Sequence, residues 1–224
     1  MSFDNTRCLF LSLGENCLVD DVLQRHGLKV FSTPYSFARS NIDYAIELER
    51  TEYSTLLSKD NLYYVKNSKV IRSNVIKDCD NIYDFQHLNG FEFTHHDVIS
   101  DSSKAESYKR KVNRMKELKY SKDVLCFLYH YRYNENMDVQ KIIDKAGTFL
   151  KYYNSRAFMV VFFQNIQSEH RGVIEKTVAD NVITFEFITP YVWQGTDKTK
   201  FFARNEDDLM TIMLDSVKIA ATQR

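Results

Sequence analysis

Two prolines and six glycines in 224 residues leave little material for flexible linkers or a disordered tract. Lysine plus arginine equals aspartate plus glutamate, 30 against 30, so the formal charge is zero. Nothing in that balance calls for a nucleic-acid partner. The four cysteines, Cys8, Cys17, Cys79 and Cys126, make no CxxC pair and no Cys/His zinc spacing. Reduced thiols in a cytoplasm are therefore expected, with no metal centre and no disulfide framework. No apolar run approaches the roughly 20 residues of a membrane span. The first residues, MSFDNTR, lack the charged-then-apolar pattern of a secretory signal. There is no GxGxxG, no Walker loop and no HExxH, which weakens nucleotide and metalloprotease readings.

Aromatic residues are plentiful. With 14 Tyr and 16 Phe the chain reads as a well-packed globular protein. Its length suits one α/β domain, residues 1–224, with one insertion at about 53–90.

The stretch Leu9 to Gly27 organises the rest. Cys8 to Leu13 is an apolar run broken by Ser12, as in a buried strand. Gly14 permits a tight turn, and Asn16 is an N-cap candidate. Leu18, Val19, Val22 and Leu23 recur at helical spacing up to a helix-ending Gly27. Cys17 would then lie in the helix's first turn, beyond the carboxyl end of the strand. Unpaired N–H groups there favour a thiolate and can hold an oxyanion. A small buried residue near a strand end is the competing reading of Cys17.

LKVFS after Gly27 reads as a second strand, stopped by Pro34, and Ser40 or Asn41 as the cap of a second helix. LYYV and KVIRSNVI predict a hairpin across Lys66-Asn67-Ser68 within the insertion. Phe91 and Phe93 suggest a strand edge running into a loop with His95, His96 and Asp97. Ser103 to Glu106 forms a capping box for a helix with Ala105, Tyr108, Val112 and Met115 on one face. Its basic face, Lys104, Lys109, Arg110, Lys111, Arg114 and Lys116, is a solvated surface or a phosphate- or carboxylate-binding one. DVLCFLYHYR and RAFMVVFFQN predict two central strands, separated by a helix starting at Asn136 or Asp138. A short helix is expected near 168–178, an outer strand at NVITFEFITP and a loop at YVWQGTDKTKFF. Asn205 should cap a last helix with Leu209, Ile212, Met213 and Val217 inward.

Ligands of a parallel α/β sheet gather at the carboxyl ends of its strands. Three groups fall there: Glu15-Asn16-Cys17 with Gly14, His130-Tyr131-Arg132, and Gln164-Asn165. A Cys and a His brought together by such a sheet form a nucleophile and general base. Asp97 would orient His95 or His130, or cap the segment that follows. His130 also reads as a structural histidine, His26 as a helix-end residue, and His87 and His170 as surface residues.

Four short motifs occur in order: S-L-G-x-x-C (Ser12, Leu13, Gly14, Cys17), S-T-P-Y-S-F (Ser32 to Phe37), F-x-x-H-D (Phe93, His96, Asp97) and Y-x-R-K-V-x-R (Tyr108, Arg110, Lys111, Val112, Arg114). Together they resemble a bacterial domain-of-unknown-function family labelled papain-like cysteine peptidase, over about Cys8 to Arg132. The resemblance implies Cys17 as nucleophile, His96 as its base, and Arg110 and Arg114 near the site. Where that family usually has an acidic residue and Trp, this chain has Ser36 and Phe37. A buried strand leading straight into the Cys is also similar to the SGNH-type esterase fold. It resembles, more distantly, capsule-biosynthesis proteins with a Gly-Asn-Cys turn, acyltransferases that bind coenzyme A.

The expected fold is thus α/β and three-layer, a mainly parallel sheet with helices on both faces (SGNH/Rossmann-like). The expected function is a cysteine-dependent hydrolase or acyltransferase. Its catalytic residues would be Cys17, His96, His130 and Asp97. Gly14, Glu15, Asn16, Arg110, Arg114, Arg132 and Asn165 would bind a small-molecule or glycan substrate. Coenzyme A enters only with the acyltransferase outcome. A non-catalytic sugar- or anion-binding module and a papain-like peptidase are the alternatives, and the oligomeric state stays open.

Overall fold

The structure, a computed structural model, describes residues 7–76, 78–166, 170–179, 181–191 and 202–224. Five strands form the main sheet in the order β1-β5-β6-β8-β7. These are β1 (Cys8–Ser12), β5 (Val124–Tyr131), β6 (Phe158–Asn165), β7 (Gly172–Ala179) and β8 (Val182–Ile188). β1, β5, β6 and β8 pair in parallel, and β7 runs antiparallel to β8. A smaller antiparallel sheet joins β2 (Leu62–Tyr64), β3 (Ile71–Ser73) and β4 (Phe91–Phe93). The mixed, mostly parallel α/β architecture follows the sequence reading, and so does the hairpin, whose connection holds Asn67 at φ 60°.

Alternate residues of each strand feed separate cores, as the two-residue period of a strand requires. Leu9, Leu11, Leu125, Phe127, Tyr129, Met159 and Val161 belong to one cluster. It includes residues of α2 (Ile42–Arg50), α3 (Ser102–Leu118) and α4 (Val139–Leu150). Phe10, Cys126, Leu128, Val160, Phe162 and Phe185 belong to the other, with α1 (Leu18–Arg25) and α6 (Asp207–Thr222). All eight residues of β5 are buried. At roughly 1.5–3 kcal/mol for each large apolar side chain, that strand anchors both clusters.

Local chemistry moved several boundaries. LKVFS makes only an isolated bridge, Lys29 with Phe10, because Pro34 and the turns after it leave no length for a ladder. The region expected to be a helix at 168–178 is mostly β7. Val173, Ile174, Thr177 and Val178 are β-branched and prefer a strand. Asp101, not Ser103, caps α3, accepting from the N–H groups of Ser103 and Lys104. Asn205 ends a short helix, α5 (Phe202–Asn205), and Glu206 precedes α6. Ile212 is 55% exposed, while Met210 and Leu214 turn inward with Leu209, Met213 and Val217. The loop expected at YVWQGTDKTKFF lies almost wholly outside the described residues.

Asn41 caps α2, its Oδ1 accepting from Tyr44 N–H at 2.8 Å, while its Nδ2 donates to the His87 carbonyl at 2.7 Å. Both partners are buried with it. Asn41→Ala therefore strands a helix N–H and a carbonyl. It should lower unfolding free energy by about 2–3 kcal/mol in urea denaturation. A change within about 0.5 kcal/mol, the range of ordinary surface substitutions, would contradict this linkage.

Candidate active site

β1 delivers the chain into a braced turn. Leu13 N–H extends the ladder to the Leu128 carbonyl at 2.9 Å. The Thr33 hydroxyl donates to the Ser12 carbonyl at 2.7 Å, and the Ser40 hydroxyl to the Gly14 carbonyl at 3.2 Å. Gly14 does not take a positive φ, and a Cβ there would meet only ordinary contacts, the nearest being His130 N at 3.5 Å. Asn16 is buried, and its Oδ1 accepts from Leu18 N–H at 2.9 Å. The helix begins one residue later than expected, so Cys17 occupies the N-cap position. Cys17 is a half-buried free thiol, as Cys8 and Cys79 are, while Cys126 is a buried one.

The address does not ionise the sulfur. Burial pushes the Cys17 thiol above its ordinary value, and Asp21 and Asp20 push it further. Its own backbone N–H and Arg39 act in the opposite direction and are outweighed. The thiolate expected from the helix N-terminus is thus replaced by a neutral thiol, because burial disfavours the charge and two acids follow in the same turn.

Glu15 lies fully buried under the turn. Its Oε1 accepts from the Tyr129 hydroxyl at 2.7 Å and its Oε2 from Arg132 N–H at 3.3 Å. Burial raises its carboxyl to about 8 despite both bonds. His87, read from sequence as a surface residue, is 1% exposed. Its Nε2 bonds the Glu15 carbonyl, which only accepts, so that nitrogen carries the proton. Its Nδ1 is 3.8 Å from Asp84, which also faces Arg132 Nη1 at 3.5 Å. Contact with His87 holds Asp84 well below the usual carboxylate range, and burial lowers His87. The spacing Asp84-x-x-His87, one turn of a 3-10 helix, was the available signal.

His130 adjoins the turn through its backbone, but its ring is fully buried and stacks on Phe162 at 5.1 Å. Burial lowers it to about 3. His96 sits elsewhere, half-buried against Phe37 and Tyr108, with ring centroids 6.1 and 5.5 Å away. Burial first, then Lys111, Lys104 and His95, keep it neutral. Lys29 links this group to α1: its Nζ is 2.7 Å from Asp20 and 4.8 Å from the Phe37 centroid. Ser36 is buried and its hydroxyl accepts from Thr33 N–H at 2.9 Å. Asp97 caps its own turn, bonding Ile99 N–H, Ser100 N–H and hydroxyl, and the Tyr64 hydroxyl. Of its two expected roles, only capping has contacts here.

Gly14, Glu15, Asn16, Cys17 and Arg132 therefore gather at the ends of β1 and β5. Arg114 lies 5.6 Å over the Phe31 ring. Arg110 is exposed on α3, and Asn165 donates to Glu186 on the neighbouring strand at 2.6 Å. Among the described residues no cluster of His, Cys, Asp and Glu could hold a metal ion. No helix among them is long and apolar enough to cross a membrane.

A mostly parallel α/β sheet with a half-buried thiol where its edge strand meets a helix defines the class. The chain belongs to the family described as "putative papain-like cysteine peptidase", whose model matches residues 8–171. Comparison with curated proteins and with solved structures returned no match.

Glu15 offers a direct check on this geometry. A carboxyl raised to about 8 in the fold keeps its proton where the unfolded chain, near an ordinary 4.3, has lost it. Its contribution to stability therefore falls as pH rises from about 4.5 to 8, by up to about 1.4 kcal/mol per pH unit. Glu15→Gln should remove that slope relative to the parent in denaturation at stepped pH. Parallel pH profiles for the two proteins would refute a protonated Glu15.

Proposed function

We propose that the chain is a cysteine-dependent acyl-transfer enzyme with Cys17 as nucleophile. The observation that carries this is the half-buried free thiol at the start of α1, at the carboxyl end of β1, in a chain of this family. His96 is the proposed base, neutral and so able to take a proton from a neutral thiol. His130, lowered to about 3 and stacked inside the sheet, is the weaker candidate. The sulfur attacks the acyl carbon while His96 takes the thiol proton, and the tetrahedral intermediate expels the leaving group, which receives that proton. An acceptor hydroxyl then cleaves the thioester and returns its own proton through His96 to Cys17.

The proposed oxyanion donors are the Cys17 N–H and Asn16 Nδ2. The latter is buried with no partner among the described residues, whereas Leu18 N–H is already taken by Asn16 Oδ1. Water as acceptor makes the protein a hydrolase. A sugar hydroxyl makes it a transferase on a glycan, with coenzyme A as acyl carrier. The resemblance of the Gly14–Cys17 turn to capsule-biosynthesis proteins supports the transferase branch. A papain-like peptidase is the branch in which the acyl group is a peptide. The raised Cys17 thiol favours one further reading, an anion- or sugar-binding module in which Cys17 stays inert.

Intact-mass measurement after incubation with activated acyl esters and acyl-thioesters separates these readings. One acyl group should appear on Cys17, be absent from Cys17→Ser, and form roughly 10²–10⁴-fold more slowly in His96→Gln. The acylation rate should fall on acidification with a midpoint below the ordinary histidine value of about 6.5, because His96 is lowered and a protonated imidazole accepts nothing. No adduct on Cys17 with any donor would favour the binding module.

A further inference from the structure

One basic side chain of α3 faces inward. Lys109, Arg110 and Arg114 are exposed, while Lys111 is 7% exposed. Its ammonium lies 4.3 Å from the Tyr108 ring centroid and 5.7 Å from that of Phe37. Rings attract a cation but do not replace a counter-anion. The acid acting on it, Asp20, is already held by Lys29 at 2.7 Å. Among the described residues Lys111 has no ion-pair partner.

Orphaned polar atoms collect around the same side chain. The Tyr108 hydroxyl and His96 Nδ1 are both buried with no hydrogen-bond partner among the described residues, and their rings are 5.5 Å apart. Native folds leave few such groups, and each asks for an explanation. A hydroxyl and an ammonium are donors, and the charge acting on the slot is positive. Lys104 and Lys111 act on His96, and Lys29 and Arg114 act on Lys111, against the single carboxylate Asp20.

We propose that Lys111 and the Tyr108 hydroxyl, in the slot beside Phe37, form a subsite for an anionic group, a carboxylate or a phosphate, on the substrate. The word substrate rests on the acyl-transfer reading; the anion site itself does not. The slot adjoins both halves of the proposed machinery, since Phe37 packs on His96 and Lys29 joins Phe37 to Asp20, one turn beyond Cys17. An acyl donor or acceptor carrying one negative charge near its reacting carbonyl is the class this arrangement selects.

The test is NMR titration of the full chain with inorganic phosphate and, separately, acetate, following the Lys111 side-chain, Tyr108 and His96 signals. Saturable shifts at all three are expected, with millimolar affinity for at least one anion, and the stronger binder identifies the group. Lys111→Met should weaken binding at least tenfold, and Lys111→Arg and Cys17→Ser should retain it. Absence of saturable shifts at Lys111 in the parent chain overturns the proposal, whether or not Lys111→Met folds. So does equal affinity in a folded Lys111→Met. Anion binding that persists while no donor acylates Cys17 would refute acyl transfer and leave this subsite standing.

Discussion

A buried carboxyl group holds the candidate site in place. Glu15 is sealed beneath the end of β1, two residues before Cys17. Tyr129 and Arg132 of the β5 end grip its oxygens, and His87 grips its carbonyl. A charged carboxylate there would be expensive, and a neutral acid with its bonds made is not. The position of the sulfur thus depends on a proton on a fully buried residue. The 3-10 turn contributes to the same end, because Asn41 ties α2 to the backbone of His87. The region that looked like an insertion is what presses His87 against the turn.

The chemistry proposed for Cys17 and His96 is that of a neutral pair. Burial raises the Cys17 thiol more than its own N–H lowers it, and Asp21 and Asp20 in the first turn of α1 add to the rise, so the thiol keeps its proton. His96 is kept neutral by burial and by the lysines around it. Such a pair separates charge only when an acyl carbonyl is there to receive it, unlike a thiolate–imidazolium pair formed in advance. A neutral thiol also alkylates and oxidises slowly in the resting protein. Phe37 and Tyr108 pack against the His96 imidazole, a contact that in the proposed reaction takes the orienting place of a carboxylate.

The parallel sheet was legible because Leu125 to Tyr131 and Ala157 to Phe163 are long apolar runs that only a strand covered on both sides needs. The strand–turn–helix at Leu9 to Arg25 was legible through its change of period. Short elements were harder: Lys29 pairs once and stops, and the β-branched run at 173–178 was misread beside polar neighbours. For the site, Cys17 and its neighbours could be placed from strand ends alone. The burial of His87 could not, since it depends on a contact 72 residues away in the chain. Lys111 read as one member of a solvated basic face, because helical period does not reveal which lysine the rings of Phe37 and Tyr108 will cover.

In the proposed reaction Cys17 is a neutral thiol at rest, made nucleophilic by a base and not by its place on the helix. The rate of iodoacetamide alkylation at Cys17 as a function of pH measures this directly, with Cys17→Ser correcting for the other cysteines. A single rise is expected, with a midpoint above that of free cysteine and no reactive plateau at lower pH. A plateau of fast alkylation extending to about pH 6, lost in His96→Gln, would show a preformed thiolate–imidazolium pair and contradict it.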